Sequence, residues 1–235
     1  MNVIKPTEKK EGAGAKVKRL FPSQEMKHLD PFVLLDEFFV DPSKGFPPHE
    51  HRGFEAITYM LDGGFRHKDD LGNDSTVYRG GVQKFTAGRG ITHSEMPVGE
   101  DISHGFQLWV NLPRAQKDVE PDYMALRSKD IPEHEEDGYL VRTLVGEGSP
   151  ISFHAEITYR DIHCHDEYRL EVPDSHRGLL YLYSGDIEVE GLSLKPSSAV
   201  SIERGTVRCV EPSRFILISG KPLGEKISLR GSFVE

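Results

Sequence analysis

The chain is short of cysteine, tryptophan, positive charge and long apolar runs. Its 235 residues include two cysteines, Cys164 and Cys209, and a single tryptophan, Trp109. The cysteines stand far apart with no CxxC partner, so a disulfide framework is not expected, and reduced, buried thiols suit a cytoplasmic protein. No apolar stretch approaches the ~20 residues that a membrane helix requires. No basic segment followed by an apolar core marks a secretory leader. Lys and Arg number 29 against 38 Asp and Glu, a formal net charge of −9. That balance argues against direct nucleic-acid binding, which needs clustered cations to meet phosphates. The one basic run, Lys16 to Arg19, reads as a solvated strand face. A soluble cytoplasmic protein with no membrane attachment is expected.

Turn formers, by contrast, are plentiful, with 23 glycines and 15 prolines. Short apolar or alternating runs, such as Phe54–Met60, Gly105–Leu112, Gly138–Val145 and Gly178–Tyr183, are punctuated by Gly, Pro and Asp. Many short strands joined by tight turns predict an all-β sandwich or barrel. Only Val119–Ser128 suggests a brief helical turn. The polar, acidic stretch from Ser128 to Asp137 reads as a boundary. It separates an N-terminal unit, 1–128, from a C-terminal unit, 135–235. A faint echo joins the halves: Tyr59-Met-Leu-Asp-Gly-Gly64 and Tyr181-Leu-Tyr-Ser-Gly185 are both apolar strands ending in a glycine turn. The echo suggests two similar barrels in tandem.

The chemistry-bearing residues gather in two short clusters of the first half. His49 and His51 are two apart in a predicted strand, so both imidazoles project from the same face. His93 and Glu95 repeat that spacing. Two such pairs on neighbouring inward-facing strands supply three imidazoles and a carboxylate, a set suited to one first-row divalent metal with open positions. Glu55 shares strand parity with His49 and His51 and competes with Glu95 for the carboxylate position. Spacing alone leaves both open, although strand twist carries position 55 away from the metal plane.

These residues resemble a known family. The runs His49-x-His-Arg-Gly-Phe-Glu55, Ala87-Gly-Arg-Gly-Ile-x-His-Ser-Glu-Met-Pro97 and His104-Gly-Phe-Gln-Leu-Trp-Val-Asn-Leu112 are similar to those of pirin. Val119-Glu-Pro-Asp-Tyr123 and Phe215-Ile-Leu-Ile-Ser-Gly-Lys-Pro-Leu223 fit as well. The resemblance implies a bicupin, two tandem jelly-roll barrels, of which the first holds one iron, Fe(II) being the first candidate among divalent metals. It implies His49, His51, His93 and Glu95 as ligands, which favours Glu95 over Glu55. It further implies a quercetin 2,3-dioxygenase, with a small phenolic substrate and O2 as partners and Glu95 as catalytic base. The alternative it carries is a transcriptional co-regulator acting through a protein partner. Two departures stand out. Gln83-Lys-Phe-Thr86 replaces a Gln-Trp-Met-Thr pattern, and longer members continue beyond the position of Glu235, which leaves open any packing of a C-terminal segment over the first barrel.

Other candidates have plainer readings. His163 and His165 flank Cys164 on one strand face, but Ser201–Cys209 offers no histidine downstream, so a polar strand face is expected. His67 is placed at a surface turn or rim, with support of a metal ligand from behind as the alternative, His104 in a turn hydrogen bond, and Trp109 in the core, with Gln107 sharing its parity.

Overall fold

The computed structural model describes residues 2–235 and divides the chain into two compact units. Apart from the 3-10 turns Arg114–Gln116 and Ser128–Asp130, every element among the described residues is a strand, and all strand pairs are antiparallel. No helix is long and apolar enough to cross a membrane.

The first unit contains β1 (Thr7–Glu11), β2 (Ala15–Phe21), β3 (Phe32–Val40), β4 (Phe46–His51), β5 (Phe54–Asp62), β6 (Gly64–Asp69), β7 (Asp74–Tyr78), β8 (Val82–Thr86), β9 (Ile91–Val98), β10 (Ser103–Asn111) and β11 (Asp122–Leu126). One sheet runs β1-β2-β3-β10-β5-β8-β11 and faces a second, β4-β9-β6-β7. Apolar side chains from both sheets meet between them: Val17 and Phe38 with Met60, Phe65 and Val77, and separately Phe54 and Phe85 with Ile91. This alternation of inward apolar and outward polar residues holds a sheet sandwich closed.

The second unit contains β12 (Glu133–Glu136), β13 (Tyr139–Val145), β14 (Ile157–Cys164), β15 (Glu167–Glu171), β16 (Arg177–Ser184), β17 (Ile187–Val189), β18 (Leu192–Leu194), β19 (Ser198–Ile202), β20 (Arg204–Cys209) and β21 (Ser213–Gly220). Its sheets run β12-β13-β14-β21-β16-β19 and β15-β20-β17-β18. Each label is that of a first-unit strand advanced by eleven, so β3-β10-β5-β8 becomes β14-β21-β16-β19 and β4-β9-β6-β7 becomes β15-β20-β17-β18. The two units therefore share one topology, and the fold is a bicupin of two jelly-roll barrels.

The ends of the chain depart from the 1–128 and 135–235 division. The chain through Pro6 groups with Ile131–Pro222, where Ile4 bridges Ala199, while Leu223–Glu235 groups with Thr7–Asp130. That tail forms a small hairpin, β22 (Leu229–Arg230) and β23 (Phe233–Val234). It is anchored by apolar and backbone contacts. Val234 is buried among Phe54, Phe85 and Ile91, and its N–H donates to the Arg52 carbonyl at 3.0 Å. Lys117 Nζ donates to the Val234 carbonyl at 3.2 Å.

Two further expectations need correction. Residues 119–128 hold no helical turn at their centre: Asp122–Leu126 pairs with β8, because the edge of that strand offers unsatisfied backbone partners. Cys164 and Cys209 are joined as a disulfide, with Cα atoms 6.4 Å apart. They close the ends of β14 and β20, and the barrel removes their separation of 45 residues. The thiol argument for a reducing compartment therefore falls away.

Gly105 sits in β10 at the middle of the large first-unit sheet, where a Cβ would lie 2.3 Å from the Tyr59 carbonyl oxygen and 2.7 Å from the Phe38 ring. Gly105→Ala is expected to destabilise the protein by about 1–3 kcal/mol through overpacking. Urea denaturation monitored at Trp109 measures the shift in midpoint.

Candidate metal centre

Strand β4 is an edge strand, which accommodates Pro47 and Pro48 at a bulge in its pairing with β9. Beyond the bulge His49 lies directly opposite His93. His51 follows two residues later on the same face, and the three ring centroids are 4.5, 4.7 and 4.9 Å apart. The potential ligand atoms of His49, His51 and His93 all lie within 4.8 Å of one another, and those of His67, His93 and Glu95 form a second such group.

The ring nitrogens favour a metal. His49 Nδ1 is 2.8 Å from the Pro47 carbonyl and His51 Nδ1 is 3.2 Å from the Ser232 carbonyl of the tail hairpin. A carbonyl only accepts, so each ring carries its proton on Nδ1 and keeps a bare Nε2. His93 is buried, and its Nε2 has no hydrogen-bond partner. An orphaned imidazole nitrogen beside two others is costly unless a Lewis acid satisfies it. The donor set thus fits a divalent cation.

Glu95 is buried at the neighbouring inward position of β9. Its Oε1 accepts from Gln83 Nε2 and, at 3.1 Å, from Thr58 Oγ1. Thr58 also contacts Gln107, and Gln83 is held in turn by the Tyr123 hydroxyl at 3.3 Å. Tyr123 contacts Ser75 at 2.6 Å, and burial pushes its phenol up to about 12, so it remains a neutral donor.

Glu55 is elsewhere. Its carboxylate is 2.7 Å from Lys84 Nζ and accepts from Thr86 Oγ1 at 2.9 Å. The shared parity with His49 and His51 fails because β4 ends at His51 and β5 starts at Phe54, with Gly53 turning the chain at φ 79°. The Lys84 of the departing Gln83–Thr86 run is the partner that occupies Glu55.

His67 departs from the expected surface or rim position. It lies inside β6 opposite Glu95 and is wholly buried, not at a surface turn. Its Nε2 is 2.9 Å from Asp69 Oδ2 and its Nδ1 is 3.2 Å from His93 Nδ1. The signal was available: His67 and Asp69 are another two-apart pair on a strand. Trp109 is half-buried, stacked on Phe54 at 4.1 Å and edge-on to His51 at 5.0 Å, so it forms a wall of the site. His104 contacts Glu37 at 3.0 Å and stacks on Phe39. In the second barrel His163 lies on β14, the counterpart of β3 and not of β4, and contacts Asp161 at 2.9 Å.

A cavity of about 710 Å³ opens beside His49, His51 and Glu95. Its walls are largely apolar, with Leu34, Phe38, Phe46, Phe65 and Trp109, and Gly231 and Ser232 of the tail close one side. Arg19 also lines it, but its guanidinium is held by Asp36 at 2.6 and 2.8 Å and by Glu11 at 2.9 Å.

The pirin family model matches residues 14–110, and a pirin C-terminal cupin domain matches residues 159–235. Pirin-1 of Arabidopsis thaliana is 41% identical over 96% of this chain and 84% of its own length. The chain belongs to the pirin family. Pirin of Homo sapiens is 37% identical over 97% of the chain and 84% of its own length. Among solved structures, a quercetin 2,3-dioxygenase from Acinetobacter baumannii superposes with a TM-score of 0.91 at 28% identity, covering 100% of this chain and 90% of that one.

Two expectations follow for this pirin. Lys84→Ala is expected to cost about 3–5 kcal/mol by leaving the Glu55 charge buried without its cation, whereas replacing both residues by Met and Leu costs far less. Thermal denaturation of the single and double variants compares them. The second concerns acid. Burial, reinforced by His49 and opposed by the Ser232 carbonyl, lowers His51 from the ordinary 6.5 to about 3. Burial lowers His93 well below 6.5 too, with His51, His49 and His67 adding to it. The unfolded chain then binds more protons than the native one between these values. Stability of the metal-free protein is full above about pH 6.5 and declines as pH falls towards 3. Urea midpoints across that range measure the slope, and His51→Gln flattens it.

Proposed function

We propose that this protein is an iron(II)-dependent dioxygenase acting on flavonol-like phenols, with His49, His51, His93 and Glu95 as the metal ligands. The observation that carries the reading is that the ligand atoms of His49, His51 and His93 lie within 4.8 Å of one another beside a cavity of about 710 Å³ that is lined by His49, His51 and the buried Glu95. The activity named for the A. baumannii neighbour supports it. A cavity of this size, with aromatic walls at Phe38, Phe46, Phe65 and Trp109 and polar groups gathered beside them, suits a flat aromatic ligand that carries hydroxyls.

A metal held there would supply Lewis-acid and redox chemistry for a reaction in which the two atoms of O2 end on C2 and C4 of the flavonol, the C2–C3 and C3–C4 bonds break and C3 leaves as carbon monoxide. The protein's part is positioning. Phe38, Phe46, Phe65 and Trp109 bury the substrate rings and exclude water. The Pro47 and Ser232 carbonyls hold two imidazoles in the tautomer that presents Nε2. Gln83 and Thr58 both address Oε1 of Glu95, which leaves Oε2 as the atom that reaches the metal or takes the phenolic proton.

The test begins with metal analysis of the purified protein, followed by restoring individual divalent ions to the metal-stripped form. Aerobic quercetin turnover, oxygen uptake and carbon monoxide release are then measured. Glu95→Gln is expected to keep most of the metal and lose roughly 10²-fold or more in turnover, while His51→Ala loses the metal itself. Turnover that survives complete metal removal would refute the reading. No turnover with any ion shifts the weight to a metal-holding regulator that acts through a protein partner.

A further inference from the structure

Each imidazole of a mononuclear site needs something to fix its tautomer and ring plane. His49 and His51 use backbone carbonyls. His93 does not: its Nδ1 meets the Nδ1 of His67 at 3.2 Å, and His67 Nε2 meets Asp69 Oδ2 at 2.9 Å. We propose that Asp69 and His67 are positioning residues that form a two-member arm behind His93, setting its tautomer so that its bare Nε2 faces the metal.

The direction of the arm follows from hydrogen-bond chemistry. An ionised carboxylate only accepts, so His67 donates from Nε2–H. A neutral ring has one N–H, and His67 Nδ1 is therefore a lone pair. His93 then donates from Nδ1–H, and its own lone pair falls on Nε2. That is the buried atom without a partner in the structure. The hydrogen-bond order thus places the lone pair of His93 on the ring nitrogen that no protein group reaches.

The arm is held rigidly. His67 and the Asp69 side chain are fully buried. On β6 they sit opposite Glu95 and His93 respectively, so strand register fixes their height. The Tyr123 ring stacks on His67 at 4.1 Å and 16°, which fixes the plane of the ring. Asp69 Oδ1 accepts from the Leu71 and Asn73 N–H groups at 3.1 and 2.9 Å, and Asn73 Nδ2 donates to Oδ2 at 2.9 Å. His67, His93 and Glu95 also satisfy the distance condition for a ligand group. With both nitrogens of His67 already engaged, however, the geometry assigns it to holding His93 and not to ligation.

The inference rests on the reading of His93 as a ligand, and the experiment separates the two. Long-range proton–nitrogen correlation spectra are recorded on full-length protein, metal-free and loaded with zinc as a diamagnetic probe. The expected result is His67 as the Nε2–H tautomer in both states, and His93 as Nδ1–H with Nε2 moving to a metal-bound shift on zinc addition. A metal-bound His93 beside a His67 protonated on Nδ1, or a zinc-bound shift on His67, overturns the arm alone. No zinc response at His93 overturns the ligand reading and the arm with it. His67→Phe keeps the ring stack and removes the acceptor, and zinc affinity is expected to fall about 10- to 100-fold. His67→Gln restores an acceptor and recovers part of that loss. Unchanged zinc affinity in a His67→Phe protein that melts normally overturns the proposal. Should that variant not fold, the wild-type tautomers decide.

Discussion

The antiparallel pairing of β4 with β9 is the contact on which the site depends. It sets His49 against His93 and places His51 and Glu95 on the same inward face. The next pairing, β9 with β6, brings His67 opposite Glu95 and Asp69 opposite His93. Three adjacent strands of a four-stranded sheet thus contribute every imidazole of the centre. Side-chain alternation makes this efficient, since residues two apart share a face and the pleat keeps them at a common depth. A slip of one residue in either pairing would turn these side chains out of the barrel.

The second barrel repeats the topology without the chemistry. The counterparts of β4 and β9 are β15 and β20, and neither carries a histidine. The histidine-rich stretch of the second half falls on β14, in the other sheet, where His163 is bound to a buried Asp161. One fold can hold a histidine cluster in one copy and a packed apolar interior in the other, because the strand frame depends on apolar alternation while the cluster depends on a few inward positions. The interior of the second barrel holds a continuous apolar cluster that includes Leu180, Ile187, Val207 and Phe215.

The tail hairpin joins the centre to the end of the chain. Ser232 supplies the carbonyl that orients His51, and Val234 buries its side chain beside Phe54 and Phe85. Gly53 makes this docking feasible, since a Cβ there would lie 2.0 Å from the Val234 carbonyl oxygen. The same glycine turn separates β4 from β5, so one residue both admits the tail and diverts Glu55 to Lys84. A local feature of the backbone therefore decides which of two glutamates faces the histidines.

Much of this was legible in the amino-acid order. Frequent Gly and Pro, short alternating runs and the echo between Tyr59–Gly64 and Tyr181–Gly185 pointed to tandem all-β barrels, since local turn chemistry and period-two burial are written residue by residue. The two-apart pairs His49/His51 and His93/Glu95 were visible for the same reason. Contacts between distant segments were not. The Cys164–Cys209 pairing, the Lys84–Glu55 ion pair, the docking of Ser232 on His51 and the burial of His67 against His93 all join residues far apart in the chain. Only sheet register and barrel closure bring them together. The sequence by itself determined which strands carry the paired histidines and Glu95; the tertiary structure decided which side chains stand behind them, because hydrogen-bond partners are chosen by proximity in space.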